Sequence, residues 1–253
     1  MKILVLPDVQ AKPNDDFMFL YCIGQYIVDK KPDVIVCIGD FADMQSLSTH
    51  DTGTKAFEGM RYTKDIEAAH EAMGKLVGPL EEHNKRQIKN KKALYKPRMV
   101  MLYGNHEDRI TRTANHDAKL SGLIDVYDLA YEAYGWEVHP FLEVVIIEGI
   151  AFSHYFISGV KGLPIATAQL QLNKMHMSCV AGHQQGKQIA TGRRADGQLL
   201  TSIISGSCYE HDEPYMGIQG NKHWRGLIML HEVSNGSFDE MFVSLSYLRK
   251  RYG

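Results

Sequence analysis

The chain reads as an α/β protein, a sandwich built on two mixed β-sheets flanked by helices, and three observations carry that reading. Short apolar runs alternate with stretches of helical periodicity through the first half. Glycine-containing dipeptides that favour tight hairpins punctuate a β-rich second half. Polar, chemically active residues recur directly after the predicted strands.

Residues 2–6 read as a strand, its apolar run from Ile3 to Leu6 as expected of one buried on both faces. Residues 15–30 follow with Phe17, Leu20, Ile23 and Ile27 on one helical face, and 34–38 is a second buried run, so the chain opens as β-α-β. The stretch from 63 to about 90 has helical spacing and ends in basic residues; 98–103 is the next strand, with helical material expected around 117–133. In the second half Glu148-Gly149, Asp196-Gly197 and Asn235-Gly236 mark hairpins, the first between 142–147 and 150–153, and 164–175 has room for a helix. Residues 44–98 then form a mostly helical insertion in a single domain over 1–253, because a chain of this length buries one sizeable core and no linker divides it.

Composition narrows the possible functions. A net charge of −2 argues against a surface built throughout for nucleic acid or acidic membrane, so any basic site must be local. The densest basic stretch, 85–98, carries seven positive charges with Tyr95 among them; it reads as a solvated helix end, or less readily as a nucleic-acid track. Cys22, Cys37, Cys179 and Cys208 are widely spaced with no CxxC pair, which fits buried reduced thiols and not a disulfide or zinc-thiolate framework. No apolar run approaches the roughly 18–20 residues of a membrane span, and the N-terminus enters a strand without a signal-peptide pattern. A cytoplasmic protein is expected.

The residues that end the predicted strands form a constellation. Asp8-Val9-Gln10 follows the first strand, Gly39-Asp40-Phe41-Ala42-Asp43 the second, and Gly104-Asn105-His106-Glu107-Asp108-Arg109 the third. His154 closes a hairpin strand, and Gly182-His183-Gln184-Gln185 follows the run 179–181. All would meet at the carboxyl edge of the sheets, where open α/β folds bind ligands. Carboxylate, amide oxygen and imidazole without thiolate suit manganese, iron, zinc or nickel. A carboxylate between two such cations could bridge them about 4 Å apart, the separation used for in-line displacement at phosphorus. No HExxH, GxxxxGK(S/T) or GxSxG occurs, so zincin, P-loop and serine-hydrolase chemistries lack support.

These pieces, in this order, resemble the pattern DxH, GDxxD, GNH(E/D), H, GHxH of the calcineurin-like metallophosphoesterases, over about three quarters of the chain. Phage-encoded members, with an insertion after GDxxD, are especially similar. The resemblance implies the calcineurin-like sandwich, two divalent metal ions, and hydrolysis of a phosphoester by a hydroxide that the cations generate. It implies that Asp40 bridges the metals, that Asn105, His154 and His183 complete one site, and that Asp8, Gln10 and Gln185 complete the other. His106 would protonate the leaving oxygen, oriented by Asp43, and Arg109 would meet the substrate's phosphate; Asp43 also suits a helix N-cap. Glu107 is expected to serve the loop and not a metal.

The chain departs from the pattern twice, with Gln10 and Gln185 where histidine is usual, and both departures fall on one metal. An amide oxygen is a weaker donor than imidazole toward zinc or iron and shifts preference toward manganese or magnesium. The second metal should therefore be held more weakly. Met44 stands where protein-dephosphorylating members carry arginine, and the GHxx end favours a diester such as a nucleic acid or nucleotide; a phosphomonoesterase, or a binding protein with a degenerate site, is the alternative. The turn-rich stretch from 50 to 61 reads as a surface loop or a substrate-facing lid. The other histidines, including His116, His211 and His223, read as surface or packing residues.

Overall fold

Alternation along the first strand sets the layers. In the computed structural model, which describes residues 1–49 and 53–253, β1 (Ile3–Leu6) turns Ile3 and Val5 toward a second sheet and Leu4 and Leu6 toward helices. The chain continues through α1 (Met18–Lys30), β2 (Val34–Cys37), α2 (Tyr62–Lys89), β3 (Arg98–Leu102), α3 (Asp108–His116) and β4 (Glu137–His139). Strands β1 to β4 pair in parallel, which requires crossovers; α1 and α2 supply the first two.

The second half runs β5 (Val145–Ile147), β6 (Ile150–Ser153), α4 (Ala168–Met175), β7 (Cys179–Ala181), β8 (Gln188–Arg193), β9 (Leu199–Ile204), α5 (Gly217–Gly220), β10 (Gly226–Ser234), β11 (Ser237–Ser244) and α6 (Leu245–Tyr252). The six-stranded sheet has the order β11-β10-β1-β2-β3-β4 and the five-stranded sheet β5-β6-β7-β9-β8. Both are mixed: the three dipeptide turns close the antiparallel pairs β5/β6, β8/β9 and β10/β11, while β6, β7 and β9 run parallel. The expected sandwich of two mixed sheets flanked by helices is what forms.

Between the sheets lies an aliphatic layer that includes Val5, Val36, Val100, Leu102, Ile150, Phe152, Val180 and Ile203. On the outer face of the larger sheet, Leu20, Ile23 and Ile27 of α1 meet Ala69, Met73 and Leu76 of α2. The described part of 44–98 is thus one long helix, packed in the core as the β2-to-β3 crossover, with short 3-10 turns at 45–47 and 55–57. Residues 50–52 of the stretch read as a loop or lid lie outside the described residues. No helix among those described is long and apolar enough to cross a membrane, and the four cysteines are free and buried.

The clearest departures from the sequence expectation are in two helices. The helix after β3 starts at Asp108 and stops at His116, and 118–134 winds through three short 3-10 turns. Left-handed residues at Gly122, Ala130 and Gly135 break the run, and Leu129 and Tyr131 are buried from separate turns, which mimics helical spacing. Helix α4 begins late because the Thr167 hydroxyl caps it by accepting from Leu170 N. The basic stretch also finds its place: the Tyr95 hydroxyl donates to Pro32 O at 2.6 Å, just ahead of β2 and β3. Residues 85–98 therefore lie at the amino ends of the strands, across the sheet from the carboxyl rim.

Candidate metal centre and active site

The proposed site residues follow the carboxyl ends of β1, β2, β3, β6 and β7, with Arg109 in the first turn of α3; parallel pairing aligns these ends within each sheet, and contacts such as His154 Nδ1 to Ile38 O join the two sets at one rim. The turns there are forced. Gln10, Asp40, Met44 and His183 have φ of 48°, 51°, 52° and 65°, a left-handed conformation that costs a non-glycine residue about 1–2 kcal/mol. Two glycines make room: a Cβ on Gly104 would strike the Asp40 carboxylate, and one on Gly182 would strike Asp8 Oδ1.

One group of donors is tightly drawn together. Asp40, His154 and His183 each offer one ligand atom, and these atoms all lie within 4.8 Å of one another. The Asn105 side-chain oxygen joins them, 3.0 Å from His154 Nε2 and 2.8 Å from His183 Nδ1. His154 Nδ1 lies 2.9 Å from Ile38 O, a carbonyl that only an N–H can satisfy, so Nε2 is left as the metal-facing nitrogen. Burial pulls His183 down to about 4, aided by the charge of His154, and so favours the neutral imidazole that a cation needs. Burial alone would raise Asp40, but the charges of His106 and His154 outweigh it and hold the carboxylate ionised.

The second group is arranged otherwise. Asp8 is fully buried; its Oδ1 accepts from His183 N at 3.1 Å and its Oδ2 from Gln185 Nε2 at 3.1 Å. Burial, with the nearby Asp40 charge, pushes Asp8 up to about 7 against the pull of His154. Gln185 Oε1 is buried with no hydrogen-bond partner, and a buried amide oxygen left bare costs roughly 1–3 kcal/mol. Gln10 is buried beside them, its backbone N–H donating to Asp40 O at 2.8 Å. A cation bound by Asp8 and the Gln185 oxygen would relieve both unfavourable features. The donor set therefore fits divalent metal at both groups.

His106 sits beside the first group. Its Nδ1 is 2.8 Å from Asp43 Oδ1, although the ring orientation misses ordinary hydrogen-bond geometry, and its Nε2 is 3.7 Å from Asp40 Oδ2. Burial would lower this imidazole, yet Asp40 and Asp43 raise it above its ordinary value. Asp43 does not cap the 3-10 turn after it. Arg109 donates through Nη1 to Asp43 O at 2.7 Å and places Nη2 3.1 Å from His106 Nε2. Its guanidinium is thus tied to the Asp43 loop while one edge faces a cavity beyond Asn105.

Two anchors hold these loops, and they differ in kind. Glu107, fully buried, accepts from Asp40 N at 3.0 Å, Gly104 N at 2.8 Å and Ala42 N at 2.9 Å, so one carboxylate locks the loops after β2 and β3 together. The loop carrying Gln10 is held by Lys12, 2.9 Å from Glu213, which also meets His211 Nε2 at 2.7 Å; His211 Nδ1 in turn lies 2.9 Å from Asp15. The place of Glu107 in the loop accords with the sequence, but its three backbone partners were not readable there. Lys12 and Glu213 carried no signal, since 201 residues separate them. Arg112 and His116, on the face of α3 that borders the cavity, were likewise missed.

With this geometry in hand, the family comparison is specific. The family model for calcineurin-like phosphoesterases matches residues 1–189, which include every residue of both donor groups and the His106–Asp43 pair. No match was found among curated proteins.

Proposed function

Because the chain belongs to the calcineurin-like phosphoesterase family and is a metal-dependent phosphoesterase, we propose that it hydrolyses a phosphodiester, a nucleotide or a nucleic-acid strand, with manganese as its preferred metal. The observation that carries the reaction type is the placement of His106 between Asp43 and Asp40, at the edge of the Asp40–Asn105–His154–His183 group. Asp40, Asn105, His154 and His183 would hold one divalent ion, and Asp8, Asp40, Gln10 and Gln185 the other. When bound, the ions supply positive charge for the phosphoryl oxygens and acidify the attacking water.

The chain's own residues do the rest. Asp43 faces Nδ1 of His106, which leaves Nε2 as the nitrogen to hand a proton to the departing oxygen of the ester once its 3.1 Å contact with the donor Arg109 Nη2 gives way. The Arg109 charge opposes the two carboxylates and keeps that proton labile. Diester preference is supported by Met44, fully buried and left-handed where the protein-dephosphorylating branch has arginine: no cation reaches the phosphate from that position. Manganese preference is supported by the amide donors Gln10 and Gln185.

A panel of single-stranded DNA, RNA, cyclic nucleotides and a phosphomonoester, run with manganese, tests this reading. A diester should turn over fastest. Exclusive hydrolysis of the monoester would overturn it.

A further inference from the structure

We propose that the cavity beside Asn105 is a subsite for a second phosphoryl group of the same substrate, held by Arg112 and His116 of α3; this inference rests on the diester reading above. The cavity has a volume of about 470 Å³, and its wall includes Thr49, Asn105, Arg109, Arg112, Thr113 and His116. Ligand pockets commonly begin near 300 Å³, so there is room for more than one phosphate.

Asn105 joins this cavity to the metal centre. Its side-chain oxygen lies between His154 and His183, and its backbone oxygen accepts from Arg112 Nη2 at 3.0 Å. A phosphate at the metals thus has the cavity as its immediate neighbour. Arg109, Arg112 and His116 recur along one face of the helix at intervals of three and four residues.

The three side chains are not equally free. Arg109 is committed to the Asp43 carbonyl. Arg112 has a side chain 57 % exposed, and its ion pair with Asp108, 3.0 Å one helical turn away, is of the exposed kind that contributes little and exchanges readily. Its planar fork matches phosphate oxygens bidentately. His116 is exposed in the last turn of α3, with its side chain on the cavity wall. The exposed Arg112 guanidinium and the His116 ring at one end of the cavity suit a second anion, while Leu47 on the same wall leaves an apolar side for the rest of the substrate.

Two substrate pairs isolate the extra group. Thymidylyl-thymidine with and without a terminal 5′- or 3′-phosphate presents it through a sugar. The nitrophenyl esters of thymidine 5′-diphosphate and 5′-monophosphate present it through a pyrophosphate link. With manganese-loaded protein, the phosphorylated member of one pair should be preferred by about tenfold in kcat/KM, through KM. Which pair shows the preference identifies the linkage. Arg112→Gln combined with His116→Gln should bring the ratio close to one, and Arg112→Lys, which keeps the charge but not the fork, should keep only part of it. Calorimetry with hydrolysis-resistant methylphosphonate forms of the dinucleotides gives the same comparison without turnover. If no diester is cleaved but the phosphorylated analogue still binds tighter, and loses that advantage in the double variant, the function reading falls and the subsite stands. Equal binding and equal turnover within both pairs, or a preference that survives the double variant, overturns the subsite.

Discussion

The two halves of the proposed metal centre meet at one rim, the first from the ends of β2, β3, β6 and β7 and the second from those of β1 and β7, and they are held differently. The Asp40–Asn105–His154–His183 half is dense with internal partners: a carbonyl fixes the His154 tautomer, an amide oxygen joins two imidazoles, and Glu107 locks the loops from below. The Asp8–Gln10–Gln185 half has a protonation-prone carboxyl, an amide turned nitrogen-first toward it, and a bare buried oxygen. Its Gln10 loop is anchored from outside the centre, through Lys12 and Glu213. The first half has its donors already drawn together, and the second would be satisfied by a bound cation.

That contrast breaks at its shared member. Asp40→Asn should remove most of the activity and lower the metal content of both halves, measured by elemental analysis beside turnover; retention of two metals with normal rate would show that no carboxylate is shared. His106→Asn should keep its metals and lose roughly 100- to 10,000-fold in rate, less with a nitrophenolate leaving group. Equal losses for good and poor leaving groups would assign His106 to positioning instead of proton transfer.

Smaller effects sharpen the comparison of the anchors. Glu107→Gln keeps one acceptor oxygen but loses the charge that serves three backbone amides, and should cost about 2 kcal/mol in denaturant unfolding together with metal in the imidazole half. An unchanged unfolding midpoint would leave that half without its stated support. Glu213→Gln should act more mildly, weakening the Gln-side metal and reshaping the pH dependence of the metal-free protein.

The direction of that pH effect follows from its two partners. Burial would raise Glu213, but His211 and Lys12 outweigh it and hold it below its ordinary 4.5, so its stabilisation is present above 4.5 and lost as the pH falls through the depressed value. Burial would lower His211, but Asp15 and Glu213 raise it above its ordinary 6.5; its stabilisation is complete below 6.5 and lost as the pH rises through the raised value. The parent's advantage over Glu213→Gln in thermal unfolding should therefore be largest between about pH 4.5 and 6.5. A difference independent of pH would mean the contact is not ionic.

Much of this was legible in the sequence, for identifiable reasons. Buried strands announce themselves as apolar runs, and the three glycine dipeptides do close hairpins, because turn chemistry is local. Helical spacing at 117–133 misled because left-handed residues let separate turns bury Leu129 and Tyr131 in the same rhythm. Donor identity could be read at the strand ends; the orientation of the Gln185 amide, the carbonyls that hold Arg109 and the Lys12–Glu213 bridge depend on distant chain meeting in space, and no local pattern encodes them.

The most direct test is calorimetric titration of the metal-free protein with manganese, in parallel with Gln10→His combined with Gln185→His. Two unequal binding constants are expected in the parent, with activity reaching its plateau only as the weaker site fills, and the double variant should tighten that weaker site and bring zinc within its range. Two equally tight sites in the parent, or a double variant that binds as the parent does, would contradict the assignment of these glutamines as the ligands of the weaker half.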